Sequence, residues 1–275
     1  MITLADIERL LEEDAGGGDV TTEALGIGAL PGRMEFRARG AMVLAGIEVA
    51  ARMMAGLDVQ ILVRDGTLCA AGQPLLTARG TAGELHRVWK AAQTLLEILS
   101  GIATATRELV DASAAVNPDV RIATTRKTVP GVRRLSQLAV KAGGGILHRQ
   151  GLGETVLVFD QHRVFLDGWD FRAIHAQLRA QQPEKALGIE VASVEDALEA
   201  AAAGFDVIQL EKFSPADVAA LAGKIGVTKR PLLAAAGGLS PETVGAYIAA
   251  GAGLIVTSWP YTARPRDVAV TLHRG

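Results

Sequence analysis

The sequence predicts an α/β protein in which an α+β N-terminal part precedes a parallel, barrel-like α/β part. Two observations predict this. In the second part, short β-rich runs end in polar or glycine residues and alternate with helical stretches. The last four runs recur roughly every 20 to 25 residues, the spacing of repeating βα units. The first hundred residues lack that rhythm and mix one amphipathic helix with alternating strands.

Taken in order, Leu4, Ile7, Leu10 and Leu11 fall at helical spacing, and Gly16-Gly17-Gly18 ends that helix. Met34, Phe36 and Ala38 alternate with charged residues and predict a half-buried strand. A short helix is expected over Ile47 to Ala55, with strands over Val59 to Val63 and Pro74 to Ala78. A long helical region follows from about Ala82 to Val116. It is read as broken near Ser100-Gly101 and stopped by Asn117-Pro118. The strands of the second part are expected over Val120–Thr124, Thr155–Phe159, Leu187–Val191, Val207–Leu210, Leu232–Ala235 and Leu254–Thr257. Ser214-Pro215 and Ser240-Pro241 are N-cap-plus-proline helix starts.

Composition narrows the partners. Aromatic residues are 4% of the chain, too few for a sheet that stacks bases. With a net charge of −2 and no long basic block, a nucleic-acid surface is not expected. The uncharged stretch Thr243 to Ala263 contains Gly245, Gly251, Gly253 and Pro260. It reads as helix, turn and buried strand rather than a membrane span. Cys69 is the only cysteine, so an internal disulfide or a cysteine-based zinc site is excluded. With no apolar signal core in the first residues, a cytoplasmic location is expected.

Function shows at the ends of the predicted strands, where such barrels place ligand groups. Arg126, Lys127, His148 and Arg149 can bind oxyanions, Arg through its planar fork and Lys as a point charge. Gly237-Gly238, just before a helix start, offers bare backbone N–H groups and a positive dipole end that suit a phosphate. Asp160, Glu190 and Glu211 supply carboxylates for Mg²⁺ or for ribose hydroxyls. Glu190 stands in an apolar strand, where an unpaired carboxylate is costly, and this favours a role for it. Thr257 and Ser258 close the last strand.

Thr-Arg-Lys-Thr-Val-Pro-Gly-Val-Arg (125–133), Ala-Val-Lys-Ala-Gly-Gly-Gly-Ile-Leu-His-Arg-Gln-Gly-Leu (139–152) and Asp160-Gln161-His162 resemble the signature of quinolinate phosphoribosyltransferases, also called nicotinate-nucleotide pyrophosphorylases. Gly18-Asp19-Val20-Thr21-Thr22 and Leu99-Ser100-Gly101-Ile102-Ala103-Thr104 extend the resemblance over nearly the whole chain. It implies an N-terminal α/β sandwich over 1–105, to which the C-terminal tail can return, and an open (β/α) barrel over 106–275. It implies a homodimer or larger homo-oligomer whose sites are each completed by the partner's N-terminal domain. The implied reaction moves a 5-phosphoribosyl group from phosphoribosyl diphosphate to a ring nitrogen, with Mg²⁺. In that scheme Arg126, His148 and Arg149 hold the acceptor's carboxylate. Lys127 reaches the diphosphate or reacting centre, Glu190 and Glu211 face the ribose and metal, and Gly237 and Gly238 bind the 5-phosphate.

The departures point away from quinolinate. Phe159 stands where the family has a lysine that contacts quinolinate, which implies an anionic acceptor with fewer carboxylates or a different ring. Trp89-Lys90 replaces Glu-Arg and keeps one positive charge at Lys90. Leu210-Glu211-Lys212 replaces Leu-Asp-Asn, Ala236-Gly237-Gly238 replaces Ser-Gly-Gly, and Thr124 replaces an Asp. With Thr257-Ser258-Trp259-Pro260-Tyr261, these resemble the ModD subgroup, pyrophosphorylases that accompany molybdate-transport systems. Three alternatives stay open: a true quinolinate enzyme of NAD biosynthesis, a non-catalytic nucleotide or oxyanion-binding regulator, and a barrel aldolase using Lys127 or Lys212 as a Schiff base, which borohydride trapping would expose. Quinolinate turnover discriminates the first, and phosphoribosyl diphosphate binding without diphosphate release discriminates the second.

Overall fold

In a computed structural model of the chain, residues 2–225 and 230–275 are described. The elements in chain order are α1 (Leu4–Ala15), α2 (Val20–Ala24), β1 (Pro31–Ala38), β2 (Met42–Val43), α3 (Ile47–Met53), β3 (Asp58–Ile61), β4 (Leu68–Cys69), β5 (Pro74–Thr81) and α4 (Ala82–Ala114). They continue with β6 (Arg121–Thr124), α5 (Arg133–Ala142), β7 (Ile146–Leu147), β8 (Val156–Val158), α6 (Asp160–Arg163), α7 (Phe171–Gln181), β9 (Leu187–Val191) and α8 (Val194–Ala203). The last are β10 (Val207–Glu211), α9 (Pro215–Lys224), β11 (Leu232–Ala236), α10 (Pro241–Ala249), β12 (Leu254–Thr257), a 3-10 turn (Trp259–Thr262) and β13 (Val268–Arg274).

Two compact units result. The first comprises Met1–Arg107, Thr128–Gly144 and Pro260–Gly275. Its main sheet runs β13-β1-β5-β3, all pairs antiparallel. Met34, Phe36 and Ala38 are buried as their alternation predicts. The C-terminal strand β13 pairs along the whole of β1, so the last residues of the chain belong to this sheet. In α1, Thr3 and Asp6 form a capping box. Ile7 of the predicted apolar face is buried, whereas Leu4 is exposed.

Helix α4 is continuous through Ser100-Gly101, and the expected break is absent. The small and polar residues there serve packing. A side chain at Gly101 would come within 2.5 Å of the Arg264 carbonyl oxygen, so glycine admits a close backbone approach. The Ser100 hydroxyl accepts from the Ala45 backbone N–H at 3.2 Å, and Thr104 bonds back to the Ser100 carbonyl at 2.6 Å. Tertiary partners therefore supply what local helix propensity lacks.

The second unit comprises Glu108–Lys127 and Gly145–Trp259. Its seven-stranded sheet runs β7-β6-β12-β11-β10-β9-β8, with every pair parallel. The strands β7 and β8 are its two edges, so the barrel is open. One face carries Ile122, Ile189, Ile208, Leu210, Leu233 and Ile255 into a core shared with α7, α8, α9 and α10. The other face is small and apolar, with Ala123, Ala234, Ala236 and Val256 clustered together. Strand register sets Gln209 and Glu211 beside Ala234 and Ala236, and Glu190 beside Gln209, so all three polar residues share that inner face. Alanine at those inner positions leaves room that larger residues would fill.

Candidate active site

The inner face opens at the C-terminal strand ends into a cavity of about 210 Å³. Arg126, Lys127, His148, Arg149, Phe159, Glu190, Glu211, Gly237, Gly238, Thr257 and Ser258 all line it. Two predicted residues stand elsewhere. Asp160 is exposed in the first turn of α6 and pairs with Arg163 at 3.0 Å. Lys90 belongs to the first unit, on α4, where its ammonium donates to Gln93 at 3.2 Å.

The basic side is built by backbone bonds between strand ends. The Thr125 N–H donates to the Thr257 carbonyl at 3.0 Å, hanging the Thr125-Arg126-Lys127 segment from the end of β12. The His148 N–H donates to the Thr124 carbonyl at 3.0 Å, which extends the β6–β7 pairing by one residue. Burial first, and then the charge of Arg149, push the His148 imidazole below its ordinary range, which leaves it neutral at pH 7. Arg149 is buried and donates through Nε to the Gly151 carbonyl and through Nη2 to the carbonyls of Leu152 and Thr155. It therefore folds its own loop, and none of these bonds uses Nη1. Burial first, and then the charge of Arg126, lower its pKa; an arginine stays cationic all the same.

The acidic side is carried by β9 and β10. Burial chiefly raises the Glu190 pKa, the Gln209 amide opposes this, and the charges of Glu211 and Asp160 raise it further. Two carboxylates facing one cavity repel unless a cation or a cationic ligand joins them. Among the described residues no group of three or more His, Cys, Asp or Glu side chains could hold a metal. A pair of carboxylates still fits Mg²⁺, which is commonly held by one or two carboxylates together with substrate phosphates.

Gly237 and Gly238 both have positive φ, 94° and 70°. A Cβ at Gly237 would stand 2.7 Å from Lys212 Cγ and 3.1 Å from its backbone nitrogen, whereas at Gly238 it would meet nothing within 4 Å. The first glycine is thus required by packing, and the second leaves backbone open toward the cavity. Lys212 itself is a non-glycine residue at φ 57°, and its N–H donates to the Ala236 carbonyl at 2.8 Å. The Thr257 hydroxyl donates to the Leu239 carbonyl at 2.9 Å and accepts from the Trp259 N–H at 3.0 Å. That side chain fixes the turn after Gly238, leaving Ser258 beside it on the cavity wall.

Phe159 stacks on His162, with ring centroids 5.8 Å apart, and its backbone N–H donates to His162 Nδ1 at 2.9 Å. Arg126, Arg149, Leu157 and Phe159 also border a larger cavity of about 1010 Å³, lined along β8 and α7 mainly by apolar side chains. Sequence reasoning missed Gln209, which lines the smaller cavity and donates to Glu190. Its signal was the one that marked Glu190, a polar residue inside an apolar strand.

The family described as quinolinate phosphoribosyl transferase, C-terminal domain, matches residues 102–271. The corresponding N-terminal domain matches residues 19–100. The chain belongs to the quinolinate phosphoribosyl transferase family. It is 40% identical to a ModD-named pyrophosphorylase of Escherichia coli O6:H1 over 276 residues, covering 98% of this chain and 97% of that one. It is 45% identical to another from Rhodobacter capsulatus over 233 residues, 84% of this chain and 90% of that one. The crystal structure of NadC from Streptococcus pyogenes superposes with a TM-score of 0.89 at 28% identity, covering 98% and 95% of the two chains. The open parallel barrel and the separate sheet unit are the fold of this family, and the chain is an enzyme of its pentosyltransferase type. No described helix is long and apolar enough to cross a membrane.

Proposed function

We propose that this chain transfers the 5-phosphoribosyl group of phosphoribosyl diphosphate to an anionic heterocyclic acceptor other than quinolinate, as a ModD-like pyrophosphorylase associated with molybdenum transport. The observation that carries this reading is the single cavity joining Arg126, Lys127, His148 and Arg149 to Glu190, Glu211 and the Gly237-Gly238 backbone. Gly237 and Gly238 take the 5-phosphate at the start of α10. Lys127 stabilises the leaving diphosphate, and Glu190 and Glu211 face the ribose as it gains oxocarbenium character. Glu190 and Glu211 would hold Mg²⁺ together with the diphosphate, and the ion would supply further charge neutralisation there. Arg126, His148 and the free side of Arg149 orient the acceptor's anionic group, and Asp160, outside the cavity, acts on it only through its charge on Glu190.

Phe159 supports an acceptor other than quinolinate. A ring stacked on His162 offers no charge to a second carboxylate, and rejecting a dianion needs no more than the loss of one buried partner. The molybdenum link rests on the names of the relatives. Lys90, which lies in the first unit, is supplied by the partner's N-terminal domain in a homodimer or larger homo-oligomer with shared sites. The enzyme works in the cytoplasm, consistent with its single buried cysteine.

The test is diphosphate release from phosphoribosyl diphosphate with Mg²⁺ across a panel of heterocyclic acids that includes quinolinate. A monoanionic heterocycle is expected to turn over, and Lys127→Ala to lower that rate by about 10²- to 10³-fold. Robust formation of nicotinate mononucleotide and CO₂ from quinolinate would overturn the reading of Phe159. Unchanged turnover in the Lys127 variant would overturn the role of Lys127.

A further inference from the structure

Gln209 lies in the middle of β10, directly across from Glu190 on β9 and Ala234 on β11. Its side-chain amide donates to Glu190. The residue is 6% exposed. Among the described residues, its amide oxygen is the only buried side-chain nitrogen or oxygen without a hydrogen-bond partner. Turning the amide over would only set that oxygen against the carboxylate.

Packing does not account for this residue. Its neighbours on the inner face include the apolar group Ala123, Ala234, Ala236 and Val256, which Met or Leu would extend. A buried amide with one unmet oxygen is worse for stability than an apolar residue of the same shape. What the sequence gains from Gln209 is the bond to Glu190. A glutamate has three rotatable side-chain bonds, and a fixed donor on the adjacent strand removes much of that freedom.

We infer that Gln209 is a positioning residue that clamps one carboxylate oxygen of Glu190, so that the other is held toward the cavity where the ribose of phosphoribosyl diphosphate lies. This rests on the function proposed above. In this assignment Gln209 acts through Glu190 rather than on a reacting atom. The clamp is preformed, since the bond exists in the chain alone and lies between two neighbouring strands of the parallel sheet.

The experiment is a double-mutant cycle with Q209M, E190Q and the combined variant, read by calorimetric titration of phosphoribosyl diphosphate with Mg²⁺ and by melting. Q209M keeps the volume and removes the donor. Its affinity should fall about tenfold, as for the loss of one hydrogen bond to a charged group. In the E190Q background the same change should cost about twofold or less, because residues acting as a unit are non-additive. Unaltered affinity in Q209M overturns the clamp, and so does an equal loss in both backgrounds. Q209N carries the test if Q209M fails to fold. Its amide is one methylene too short to reach Glu190, so it must lose affinity, and wild-type affinity in Q209N overturns the proposal. A wild-type protein that does not bind phosphoribosyl diphosphate at all sinks the phosphoribosyl reading itself, a result distinct from binding with additive losses.

Discussion

His148 lines the basic side of the cavity, yet its imidazole is held neutral at pH 7. Burial, and then the charge of Arg149, depress its pKa in the folded protein. The unfolded chain therefore takes up the proton first, at the ordinary value of about 6.5. The sign follows: its contribution to stability is complete above that value and is lost as the pH falls through the lower folded value. Melting temperatures measured from about pH 8 down to about pH 5 should thus fall more steeply for the wild-type protein than for His148→Gln. Parallel curves would show that the imidazole is not held neutral. His148 and the cations beside it were readable in the sequence because the Thr-Arg-Lys-Thr and His-Arg motifs are local. Gln209 was not, since its meaning depends on Glu190 lying across from it in the register of two strands. The same holds for Arg149, whose motif does not reveal that Nε and Nη2 are spent on the carbonyls of its own loop.

At the scale of elements, the strands and helices of the barrel follow the hydrophobic pattern closely. The strands β9 and β12 coincide with their predicted runs. The pattern fails where a tertiary partner decides, as at Gly101 in α4, or where an element is too short to have a period, as in the two-residue β7. The turn from β11 into α10 separates two glycines that look alike in sequence. Gly237→Ala places a residue in the left-handed region, at about 1–2 kcal/mol. It also overlaps Lys212, which adds about 1–3 kcal/mol more. Gly238→Ala bears only the first cost, because its Cβ enters open space. Urea unfolding should therefore rank Gly237→Ala as clearly the less stable. Gly238→Ala should stay folded and lose affinity for phosphoribosyl diphosphate, since its methyl group enters the space beside the open backbone. Equal destabilisation by both substitutions would remove the distinction between a packing glycine and a phosphate glycine.

At the scale of the whole molecule, the placement of Lys90 in one unit and of the cavity in the other makes the proposed assembly testable. Arg126, Lys127, His148, Glu190 and Glu211 all lie in the barrel unit, whereas Lys90 lies on α4 in the other. A two-fold symmetric assembly repeats the same contact on both sides, so a residue given by one protomer to its partner's site is also received in return. If Lys90 serves the partner's site, Lys90→Ala and Lys127→Ala protomers fail for different reasons and can complement each other. Mixing the two inactive proteins after dissociation forms hybrids in which one site carries both lesions and the other carries neither. Random pairing makes about half of the dimers hybrid, so about a quarter of wild-type turnover should return. Sedimentation of the mixture must show that exchange took place. Exchange without recovered activity would place Lys90 in its own protomer's site or outside the chemistry altogether. Recovery would assign Lys90, a residue of the first unit, to the cavity of a second protomer.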